Sequence, residues 1–65
     1  MAGALYRQLV RILRDGGCVF VRQGKGSHEI WFSPLTQRSF VLPFDIQKAP
    51  TANAILRQAG LPRVF

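Results

Sequence analysis

Two short runs of β-branched and aromatic residues, Val19-Phe20-Val21 and Ile30-Trp31-Phe32, flank the glycine-rich segment Gly24-Lys25-Gly26. No other feature of the chain limits its fold as strongly. Such residues favour extended backbone, and glycine frees the turn between them, so Arg22 to Phe32 is expected to form a β-hairpin. The first strand is expected over Cys18 to Gln23 and the second over Ser27 to Ser33. Alternation along the second puts His28, Ile30 and Phe32 on one face and Glu29, Trp31 and Ser33 on the other. A bulge at Gly26 or Ser27 would shift that phase.

The flanking segments read as helices. Leu5, Leu9, Ile12 and Leu13 recur at the spacing of one apolar helix face, which predicts a helix over Ala4 to Asp15 ended by Gly16-Gly17. Arg7, Arg11 and Arg14 share another face. As a solvated surface that stripe needs no function, and as a phosphate-contacting surface it has one. Pro34 to Gln37 is expected as a turn and Arg38 to Leu42 as a third strand stopped by Pro43. A second helix is expected to begin at Pro50 or Thr51, with threonine suited to its cap, and to close at Gly60. Arg63 to Phe65 reads as a frayed tail.

The order helix, three antiparallel strands, helix makes residues 1–65 one α+β domain, with both helices on one face of a three-stranded sheet. Double-stranded-RNA-binding domains have the same order and grip RNA through its shape, phosphates and 2′-hydroxyls. At 65 residues the core is small, and stability is expected to be marginal enough for a partner to matter.

Nine Lys and Arg against three acids give a net charge of +6, which favours a polyanion or an acidic protein as partner. No apolar stretch approaches a membrane span, and Arg7, Arg11 and Arg14 interrupt any signal-like segment, so a cytoplasmic location is expected. With one cysteine and one histidine, neither a disulfide framework nor a dedicated zinc site is expected, and Cys18 reads as a small buried hydrophobe.

His28 is the one side chain of a type that exchanges protons near neutrality. By pattern alone, a histidine in phase with Ile30 and Phe32 reads first as a partly buried, satisfied residue. The catalytic reading rests on its neighbours: Arg22 and Lys25 to hold an anion, Gly26 to permit close backbone approach, and Ser27 to donate a hydrogen bond to phosphate or to cap the turn. Trp31 reads as core before it reads as a base-stacking platform, and Glu29 faces away from His28. The turn is not a nucleotide-binding phosphate loop, because it joins two strands and lacks the Gly-x-x-x-x-Gly-Lys-Ser/Thr pattern.

Several stretches together resemble one family. They are the leucine-bearing helix ending in glycine (Leu9 to Gly17), the strand Val19-Phe20-Val21-Arg22-Gln23, and Gly26-Ser27-His28 followed by Ile30 and Phe32. The closing stretch adds Thr51 and Ala54-Ile55-Leu56-Arg57-Gln58-Ala59-Gly60-Leu61. In this order and spacing the chain resembles the HicA toxins, small mRNA interferases of toxin–antitoxin systems. The resemblance implies a double-stranded-RNA-binding-domain-like fold, endoribonuclease action on mRNA, and neutralisation by a HicB-type antitoxin. It also implies a catalytic role for His28. A mechanism that uses RNA's own 2′-hydroxyl as nucleophile is expected to need no metal or other cofactor. Many members carry a second histidine directly after the first, where this chain has Glu29, and another after the proline closing the third strand, where it has Phe44 and Asp45. Two other readings keep the fold: a non-catalytic RNA-binding module, and an interaction protein whose basic face docks an acidic partner.

Overall fold

A computed structural model describes residues 3–65. Five elements follow in order: α1 (Ala4–Asp15), β1 (Val19–Gln23), β2 (His28–Ser33), β3 (Arg38–Pro43) and α2 (Ala49–Gln58). The strands form one antiparallel sheet with β2 at its centre. This is the expected α+β arrangement.

Both helices end as their glycines dictate. Gly17 takes φ +90° beyond α1, and Gly60 takes φ +79° beyond α2. After α1, the Gly17 N–H donates to Arg14 O and the Cys18 N–H to Leu13 O. After α2, Gly60 and Leu61 donate to Arg57 O and Leu56 O in the same way. Both are Schellman closures, which satisfy carbonyls that the last helical turn leaves unpaired. The start of α2 differs from expectation. Lys48 occupies the N-cap position without a side-chain hydrogen bond, so Thr51 lies inside the first turn and does not cap it. Cys18 is taken up by the closure of α1, and β1 therefore begins one residue later than expected.

The core is set by β2. Its buried residues are Glu29, Trp31 and Ser33, and they share the covered side of the sheet with Phe40 and Leu42 of β3. Leu9 and Leu13 of α1, Ala52, Ile55, Leu56 and Ala59 of α2, and the connecting Cys18 and Ile46 complete the cluster. The helices thus cover the face that carries Glu29, and the face that carries His28 stays open. Alternation is as expected, but the histidine is exposed and not partly buried. The two polar residues on the covered side are satisfied there. Tyr6 Oη donates to Glu29 Oε1 and Oε2 at 2.7 and 2.9 Å, and Trp31 Nε1 donates to Oε1 at 3.0 Å. At the other end of β2, Ser33 Oγ donates to Ala59 O at 2.6 Å and accepts from the Leu35 N–H at 3.2 Å. Each helix is therefore tied to β2 by a side-chain hydrogen bond, with Trp31 packed between the two ties.

The tail is ordered by one side chain. Asn53 Nδ2 donates to Phe65 O at 2.8 Å, and Asn53 Oδ1 accepts from the Phe65 and Val64 N–H groups at 3.0 and 3.3 Å. The frayed tail expected from sequence is corrected accordingly. Among the described residues no helix is long and apolar enough to cross a membrane.

Burial, then the hydrogen bond to Glu29 and the repulsion of its carboxylate, pushes the Tyr6 phenol from an ordinary value near 10 up to about 12. Between those values the folded chain holds a proton that the unfolded chain has lost, so stability falls as pH rises. Urea unfolding measured from pH 9 to 12 should show this loss beginning near pH 10, and Tyr6→Phe should show a shallower decline over the same window.

Candidate functional site

His28 is the first residue of β2 and stands exposed at the mouth of the hairpin. Its backbone is fixed on both sides. The His28 N–H donates to Lys25 O at 3.1 Å, and His28 O accepts from the Gly24 N–H at 2.8 Å and Gln23 Nε2 at 3.0 Å. Gln23 Nε2 also donates to Gly26 O at 3.2 Å, closing the turn on itself. The imidazole projects from a strand whose opposite side is packed under two helices. That combination is an exposed imidazole on a rigid base.

The predicted neighbours gather around it unequally. Phe20 pairs with Trp31, Arg22 with Ile30, and the register shifts between them, so Val21 is the residue of a β-bulge. The bulge lies in β1 and not at Gly26 or Ser27, and the alternation of β2 is undisturbed. Directly opposed residues of an antiparallel pair share a face, so Phe20 belongs to the covered side and Arg22 to the open side with Ile30 and His28. Without the extra residue, Phe20 and Arg22 would share a face. The bulge brings Arg22 diagonally across from His28, a separation of about 7–8 Å between backbones that a long side chain spans. Lys25 and Gly26 are exposed at the tip of the turn.

Gly26 has φ +61°, and no heavy atom lies within 4 Å of where a Cβ would stand. The turn therefore needs glycine for its backbone conformation, and the space above it is open to a ligand. Gly24 is required for another reason: a Cβ there would meet His28 O at 2.9 Å. Ser27 is already engaged. Its Oγ donates to Asp45 Oδ1 at 3.3 Å, and its carbonyl accepts from the Phe44 N–H at 2.7 Å. These bonds dock the β3–α2 connection onto the hairpin and place Asp45 beside the residue that precedes His28. Nothing in the sequence pattern linked Asp45 to Ser27.

Glu29 lies on the face opposite His28, as alternation predicted; that face is the core, where Glu29 is committed to Tyr6 and Trp31. Trp31 is 1% exposed and belongs to the core. The open face beyond His28 is apolar: Ile30 and Phe32 are half-buried, and Val19 and Val41 beside them are 53% and 41% exposed. Among the described residues no three His, Cys, Asp or Glu side chains come together as a donor set for a metal ion. A groove of about 690 Å³ lies on the far side of α2, between Asn53, Arg57 and Phe65. It contains none of the hairpin residues and no group suited to proton transfer near neutrality, so the exposed hairpin is the better candidate.

Residues 6–61 match the family model described as HicA toxin of bacterial toxin-antitoxin. The chain belongs to the HicA toxin family. Comparison with curated proteins and with solved structures gave no match. The matched stretch holds α1 from Tyr6 onward, the whole sheet and α2, and with them His28 and its hairpin. Membership makes this protein the toxin component of a toxin–antitoxin pair and implies an antitoxin partner.

Replacing Gly26 with alanine should cost about 1 kcal/mol through its left-handed backbone alone, with no steric clash. Gly26→Asn, which tolerates that conformation better, should recover part of the loss in urea unfolding. A cost of several kcal/mol for Gly26→Ala would mean that the turn is packed and not open.

Proposed function

We propose that this HicA toxin is an endoribonuclease that cleaves mRNA with His28 as general acid/base and without a metal ion. The observation that carries the reading is an exposed imidazole on a rigid strand end, flanked by Arg22, Lys25 and a glycine turn with open space above it. RNA supplies its own nucleophile. His28 takes the 2′-hydroxyl proton, the 2′-oxygen attacks the adjacent phosphorus, and the bond to the 5′-oxygen breaks. Lys25 or a water protonates that leaving oxygen. Arg22, Lys25 and the free backbone of Gly26 hold the phosphate and stabilise the charge that builds on it, a contribution that can match or exceed proton transfer. Ser27, whose hydroxyl is bonded to Asp45, serves the phosphate only if that weak contact is exchanged.

The apolar open face is the surface a HicB-type antitoxin would cover. It adjoins His28, so one protein docked there would both bury Val19, Val41 and Phe32 and block the imidazole. The apolar area and the surrounding positive charge fit an apolar partner surface with an acidic rim.

One observation favours a second reading. Glu29 lies in the core, and no other imidazole is present, so the open face offers a single residue of proton-exchanging type. A chain lacking a second proton-transfer group would serve as a non-catalytic RNA-binding module.

Purified wild-type protein and His28→Ala, both verified as folded, should be compared on long single-stranded RNA in EDTA. The substitution should lower the cleavage rate at least about a hundredfold, the lower end of what a positioned acid–base group supplies. RNA affinity should stay within a few-fold. Equal cleavage by both proteins would remove His28 from the chemistry. Binding without cleavage by either would support the binding module.

A further inference from the structure

We infer that the outer face of α1 is a second contact surface for single-stranded RNA, formed by Arg7, Arg11 and Arg14 and ended by the exposed ring of Phe20. The inference rests on the RNA reading of the hairpin and extends it to how much of the strand the protein holds.

Three observations support it. First, Arg7, Arg11 and Arg14 are all exposed and lie at i, i+4 and i+7 on one helix. Four residues of helix rise about 6 Å, comparable to the spacing of successive phosphates along an extended strand. Second, two of the three acidic side chains that could pair with the stripe are occupied elsewhere. Glu29 is committed to Tyr6 and Trp31, and Asp45 accepts from Ser27, which leaves Asp15 at the end of the helix. Third, the far end of the stripe meets an aromatic pair. The Arg14 guanidinium sits 5.4 Å from the centroid of the Trp31 ring, and Phe20 meets Trp31 edge-on at 6.1 Å while remaining 45% exposed. Trp31 is buried, and the exposed ring at this end is that of Phe20; a basic surface combined with an exposed aromatic ring holds a single strand without reading its sequence, through phosphate and base stacking.

The stripe also begins in the right place. Tyr6 reaches Glu29, the neighbour of His28, and meets the Phe44 ring at a tilt, and the Phe44 N–H is bonded to Ser27. Arg7 therefore lies at the hairpin end of α1. From the Phe20–Trp31 pair to His28 the sheet advances three residues along β2, roughly 10 Å. The stripe and His28 lie on opposite sides of the sheet, so a strand leaving the scissile phosphate first passes round the hairpin end and then follows α1 from Arg7 toward Arg14, with a base against Phe20.

The test uses full-length protein carrying His28→Ala to prevent cleavage, with and without the exposed pair Arg7→Gln/Arg11→Gln. Binding is measured over a salt series to unstructured oligonucleotides of about four and about twelve nucleotides, the range of lengths a single-strand groove holds. For the longer strand, loss of two phosphate contacts should weaken binding at least about tenfold at 0.1 M salt and reduce the salt slope by about 1.4. The short strand should bind equally to both proteins. Arg7→Lys/Arg11→Lys should keep the slope, and Phe20→Leu should weaken long-strand binding with the slope unchanged. An unchanged slope for the longer strand, or an equal loss on both strands, would overturn the inference and leave His28-dependent cleavage standing. If the parent protein binds neither strand at low salt, the inference and the RNA reading both fail.

Discussion

The alternating side chains of β2 decide what is buried and what is offered. Glu29, Trp31 and Ser33 point into the helix layer, where Tyr6 and Ala59 meet the two polar ones. A buried carboxylate is costly unless donors surround it. Here two donors share it, and removing the carboxylate would strand the Trp31 and Tyr6 donors at about 1–3 kcal/mol for each that stays buried. For a 65-residue chain that is a large part of its stability. The same ties hold both helices to one face of the sheet. The opposite face, with His28 at its end, is not covered by any of the described elements.

This arrangement also sorts the charge. Taking Glu29 into the core withdraws one of only three acids from the surface, while the nine Lys and Arg include the exposed Arg7, Arg11, Arg14, Arg22 and Lys25. The surface is therefore more positive than composition alone conveys. A polyanion is drawn to the molecule from a distance, and the hairpin contributes the local part: a fixed backbone, a turn with open space above it, and one imidazole. The bulge at Val21 links the two, because it turns Arg22 onto the open face beside His28.

Much of this was legible in the sequence, and the exceptions have physical causes. The helices announced themselves through leucine periodicity and the glycines that close them, and the hairpin through two apolar runs around Gly24-Lys25-Gly26. Alternation assigned His28 and Glu29 to opposite faces, but not which face is covered. The set His28, Ile30, Phe32 is no less apolar than Glu29, Trp31, Ser33, and the decision rests on Tyr6, 23 residues away from Glu29. The bulge left no mark, since Val19, Phe20 and Val21 all suit a strand. Thr51 looked like a cap, yet the helix starts two residues earlier. Asn53 gave no sign of holding the tail, nor Asp45 of meeting Ser27, because both contacts are made by chain brought together only on folding.

The central claim is that the exposed imidazole of His28 works on RNA through the substrate's own 2′-hydroxyl. The ends of the cleavage products formed in EDTA test it most directly. Attack by the 2′-oxygen must leave a 2′,3′-cyclic phosphate, or the monophosphate from its hydrolysis, on one fragment and a 5′-hydroxyl on the other. Those ends are the predicted result. Fragments bearing a 3′-hydroxyl and a 5′-phosphate would require water as the nucleophile and would contradict the account.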